Sequence, residues 1–96
     1  MVFAGCLNLE SMKQYENIDN IVPMKMDVTK KGEVNDSVAT VMNWLAEATI
    51  KGERRYLHAV VNNAGVGSGG RVDWHMGNIK SSYGLKMDVN YFGMIR

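Results

Sequence analysis

Three short apolar runs, Val2 to Leu7, Ile21 to Val28 and Leu57 to Val61, punctuate the chain, and helix-like segments fill the spaces between them. The first run shows no polar alternation, which is the pattern of a strand covered on both faces and therefore of a parallel sheet. After it, Leu9, Met12 and Tyr15 recur at helical spacing in a short segment that ends near Asn17 to Asn20, where clustered Asn and Asp favour a turn. The second run contains Pro23, which cannot donate to a ladder and so belongs at a sheet edge or among the first residues of a strand. From Glu33 to about Thr49, Val34, Val38, Val41, Met42, Leu45 and Ala48 form one continuous apolar stripe at helical spacing. Thr29 is a candidate cap for that helix, although Gly32 rather than Glu stands three residues on. Gly52 and the charged run Glu53-Arg54-Arg55 mark a surface turn before the third apolar run.

The order is strand, helix, strand, helix, strand, loop, helix. Alternation of this kind predicts an α/β fold with a doubly wound parallel sheet of the Rossmann type. Ligands of such sheets bind beyond the carboxyl ends of the strands, a rule that selects Asp27-Val28 and Asn62-Asn63-Ala64-Gly65. The stretch from Gly65 to Gly70 also satisfies the spacing G-x-G-x-x-G of a phosphate-cradling turn. That chemistry needs the glycines to open a helix whose free N–H groups face the phosphates. Arg71 to Asn78 carries no early apolar stripe, and no acidic residue ends a next strand about 20 residues on. The plain alternative is a loop at a sheet edge.

Composition narrows the partners. Ninety-six residues, 46% apolar and 22% charged, describe one small domain or a piece of a larger one. Eleven basic against ten acidic side chains leave a net charge of +1, and no basic run exceeds the pairs Lys30-Lys31 and Arg54-Arg55, so a nucleic-acid partner is not expected. Cys6 stands alone within an apolar run, which predicts a buried thiol in a reducing compartment. The apolar opening lacks a basic leader and stops at Asn8, too short for a signal core or a membrane span. No metal site is expected.

Asn62-Asn63-Ala64-Gly65 after a Val-Val strand resembles the N-N-A-G motif of the short-chain dehydrogenase/reductase family. Asp27-Val28-Thr29 is similar to that family's D-V pair at the end of its third strand. Asp88-Val89-Asn90-Tyr91-Phe92-Gly93 is similar to its D-V-N-x-x-G helix motif. The opening run resembles the second strand of the retinol, 17β-hydroxysteroid and D-β-hydroxybutyrate dehydrogenase subgroup. The resemblance implies that residues 1–96 are a fragment of a single NAD(P)-binding Rossmann domain. It would hold the second to fourth strands and the following helix, with the first strand missing from the centre of the sheet. It also implies NAD or NADP as cofactor and hydride transfer to or from a small-molecule alcohol or ketone of retinoid, steroid or hydroxy acid type. An intracellular parent is implied, able to form homo-oligomers, at the endoplasmic reticulum, in mitochondria or in the cytoplasm.

On the same basis Asp27 and Val28 contact the adenine ring, by a carboxylate hydrogen bond to the exocyclic amine and an apolar contact. The competing reading of Asp27 is helix-start chemistry. Asn63, Ala64 and Gly65 run past the riboses, and Asn62 stitches neighbouring strands. Asn90 matches the family's catalytic asparagine, which holds a water in a proton relay; the competing reading is an amide satisfied by local backbone.

The relay's other members are not found. Four residues after Tyr15, Tyr56, Tyr83 and Tyr91 stand Asp19, Val60, Met87 and Ile95, so no tyrosine has the lysine of Y-x-x-x-K. The family's T-G-x-x-x-G-x-G is missing too. The expectation is a segment that is inactive and marginally stable by itself. The alternative is a non-catalytic dinucleotide-binding or interaction module that keeps only the adenosine side.

Overall fold

The computed structural model describes residues 1–67 and 79–96, with the backbone alone for 79–82. They form two units, Met1–Val60 and Val61–Arg96.

In the first unit β1 (Val2–Cys6) pairs in parallel with β2 (Ile21–Lys25), in a register that sets Val2 against Ile21 and Cys6 against Lys25. Between them lies α1 (Leu9–Lys13), which starts on a reciprocal cap. Asn8 Oδ1 accepts from the Ser11 N–H at 2.8 Å and the Asn8 N–H donates to Ser11 Oγ at 3.3 Å, satisfying two amides that the helix itself leaves free. The return to β2 passes through Asn20 at φ 65°, a left-handed turn conformation that Asn tolerates better than most residues. Its carbonyl accepts from the Val2 N–H at 2.7 Å, and at the far end the Cys6 carbonyl accepts from the Met26 N–H at 2.8 Å. Pro23 lies opposite Ala4 in β2, which has one neighbouring strand, in keeping with the edge position that its sequence requires. Cys6 is buried with a free thiol.

The long helix α2 spans Lys31–Ile50. Its start is fastened by Glu33, described below, and not by Thr29: the N-cap is Lys30, which makes no side-chain cap bond. Its end is a Schellman turn. Gly52 adopts φ 73°, the Glu53 N–H donates to the Ala48 carbonyl at 2.8 Å, and the Gly52 N–H donates to the Thr49 carbonyl at 3.2 Å. The helix meets the sheet through Trp44, whose ring stands edge-on to Phe3 at 5.5 Å. Arg55 closes over the other side, with its guanidinium 4.4 Å from the Trp44 ring centre and Nη1 donating to the Trp44 carbonyl at 3.2 Å. Along the predicted stripe Ala48 is fully buried and Val34, Val41 and Leu45 are half-buried, but Val38 and Met42 stay 56% and 59% exposed. A sheet of two strands spans about 5 Å between strand axes and cannot cover an apolar face over 100° wide.

That narrow sheet corrects the expected fold class. Among the described residues the partial Rossmann-type doubly wound parallel sheet, with second to fourth strands and a following helix, is not formed: the sheet has two strands, and the architecture is a small mixed α/β one. Leu57 to Val61 forms no ladder with any described segment, and Val60 is 72% and Val61 82% exposed. The reason is that a strand exists only by pairing. Apolar, β-branched residues favour the state without creating it, and no described segment pairs with this one.

The second unit contains α3 (Ile79–Met87), a π-helical turn over Asp88–Phe92, and α4 (Gly93–Ile95). In the π turn the Gly93 N–H donates to the Asp88 carbonyl five residues back. On an unbroken 3.6-residue period Ile79, Tyr83, Met87, Asn90 and Met94 would share one face, and the wider turn resets that phase. Asn90 is exposed as a result, and so are Met87 and Met94. Among the described residues no helix is long and apolar enough to cross a membrane.

Candidate functional site

The residues singled out by sequence fall into two groups, Asp27 and Val28 in the first unit and Asn63, Ala64, Gly65 and Asn90 in the second. The first group occupies the turn from β2 into α2. Asp27 Oδ1 accepts from the Thr29 N–H at 3.0 Å and from the Thr29 hydroxyl at 2.7 Å, while Oδ2 lies 3.5 Å from the Lys30 ammonium. The Asp27 N–H donates to Glu33 Oε2 at 2.8 Å. Glu33 Oε1 meets Lys25 Nζ at 2.5 Å and Lys30 Nζ at 3.4 Å. One carboxylate of the first helical turn thus ties together the end of the strand, the turn and the helix start.

These contacts set the ionisation of the group. Hydrogen bonds from the Thr29 hydroxyl and amide hold the Asp27 carboxyl below its ordinary value, against a smaller opposing effect of burial, with Lys30 adding to the depression. Glu33 is held low by Lys25 first and by the Asp27 amide second. Lys30 is raised, chiefly by its hydrogen bond and charge interaction with Glu33 and then by Asp27. Asp27 therefore fastens the turn ahead of α2 through Thr29 and does not cap the helix, whose N-cap is Lys30. Its Oδ1 is committed to Thr29, and Oδ2 faces the Lys30 ammonium. Val28 beside it is half-buried.

Glu33 went unrecognised in the sequence because the capping box was counted from Thr29, where the third position is Gly32. Counted from Lys30, the observed N-cap, the third position is Glu33, and an acid in a first turn is favoured by the helix dipole as well.

In the second group the Asn90 amide grips one backbone residue twice. Its Oδ1 accepts from the Val66 N–H at 2.8 Å and its Nδ2 donates to the Val66 carbonyl at 2.9 Å. The side chain thereby replaces the neighbouring strand that a ladder would have supplied, at the residue directly after Asn63-Ala64-Gly65. Asn90 acts here as a positioning residue for this loop, with its main polar capacity used on backbone. Asn62 and Asn63 are exposed, and among the described residues Asn62 makes no side-chain bond, so the expected stitching of strands is not its role.

A Cβ added at Gly65 would lie 3.6 Å from Asn90 Oδ1 and 3.9 Å from the Asn63 carbonyl, and one at Gly67 would meet nothing within 4 Å. Both contacts at Gly65 are ordinary, so among the described residues none excludes a side chain there. The remaining glycines of the stretch, Gly69 and Gly70, lie outside the described residues.

Among the described residues no three His, Cys, Asp or Glu side chains gather in a way that would hold a metal ion. Tyr83 and Lys86, three residues apart, meet through a cation–π contact with Nζ 4.8 Å from the ring centre. Protein-family profiles, characterised proteins and solved structures give no match to this chain.

Proposed function

We propose that this chain supplies the adenosine- and ribose-facing wall of a dinucleotide site in an NAD(P)-dependent oxidoreductase acting on an alcohol or carbonyl. The observation that supports the reading best is the double hydrogen bond of Asn90 to Val66. It ties the asparagine of the D-V-N-x-x-G segment to Val66, the residue directly after Asn62-Asn63-Ala64-Gly65 and 24 positions away in sequence. The cofactor, when bound, supplies the hydride chemistry. Asp27 accepts from the exocyclic amine of adenine through Oδ2, and Val28 offers an apolar surface to the ring. Asn63, Ala64 and Gly65 present backbone with little side-chain bulk, and Asn90 holds that backbone in place.

A second reading, a binding module without catalysis, is favoured by one observation: no tyrosine has a lysine four residues on, and Tyr83 spends its ring face on Lys86. Both readings require dinucleotide binding. Titration of NAD, NADH, NADP and NADPH into the monodisperse chain, followed by circular dichroism and thermal melting, tests it. Saturable binding that raises the melting temperature is the expected result, and its absence for all four dinucleotides overturns both readings.

A further inference from the structure

We draw no further inference here: the strongest candidate, the apolar surface that Val38 and Met42 leave exposed on α2, carries nothing because nothing in the structure shows what covers it.

Discussion

The β2–α2 turn and the Asn63–Val66 loop are both held by side chains bonded to backbone, but by different means. The turn is charged and redundant: Glu33 and Asp27 share two lysines, a threonine and a backbone amide. The loop depends on one neutral amide that makes two bonds to one residue. A redundant network survives the loss of one member and responds to pH, whereas a single clamp ignores pH and fails with one substitution. Among the described residues the first unit alone has a paired sheet and an aromatic contact between sheet and helix.

The largest effect is therefore expected at the sheet–helix contact. Trp44→Ala removes the edge-on contact with Phe3 and the surface beneath Arg55, a loss on the order of 2–3 kcal/mol for an aromatic truncation with a cation–π partner. A thermal melt reads it directly, and a change near zero would mean that the apolar contact between α2 and the sheet contributes little.

Next comes Asn90→Ala. Both Val66 groups are left to water, at a cost of about 1 kcal/mol per lost bond or less because the site is exposed. Hydrogen exchange at the Val66 amide should accelerate about tenfold or more while amides of β1 and β2 keep their rates. Acceleration across both units alike would contradict the separation drawn here.

Acid sharpens the same contrast. Asp27 and Glu33 are both held below their ordinary values, so each stabilises the folded state above its unfolded pKa, and the contribution fades as pH falls through the lowered one. Below about pH 4 the β2–α2 turn should loosen, seen as faster exchange at Asp27 and Thr29, with the neutral Asn90–Val66 pair unaffected. Lys30 carries the opposite sign: its contribution holds below its unfolded pKa and is lost as pH rises through the raised value.

The smallest effect on folding is expected from Gly65→Ala. The backbone there is not left-handed and a Cβ makes ordinary contacts, so stability should hold or rise by about 0.4 kcal/mol through the unfolded chain. A fall in dinucleotide affinity without a fall in melting temperature would assign the glycine to the ligand.

How far the sequence reached depends on how local the determinant is. The 3.6-residue period made α2 legible, and the Asn-rich stretch announced the turn through Asn20. Leu57 to Val61 misled because its apolar, β-branched character is local while the pairing that makes a strand is not. The polar partners divide in the same way. An amide at Asn90 in need of partners was legible, but Val66 lies 24 residues away and only the folded chain selects it. At Asp27 both competing roles were visible, and the Thr29 bonds place its carboxylate in the turn before the helix instead of on a helical amide.

The most direct test of the account is a map of backbone amide shifts in the labelled chain as NAD or NADP is added. Saturating shifts at Asp27 and Val28, and at Asn63, Ala64, Gly65 and Val66 with the latter four weakened in Asn90→Ala, are the predicted result. Saturating shifts confined to other residues, or none at any concentration, would contradict the assignment of this loop and turn to a dinucleotide.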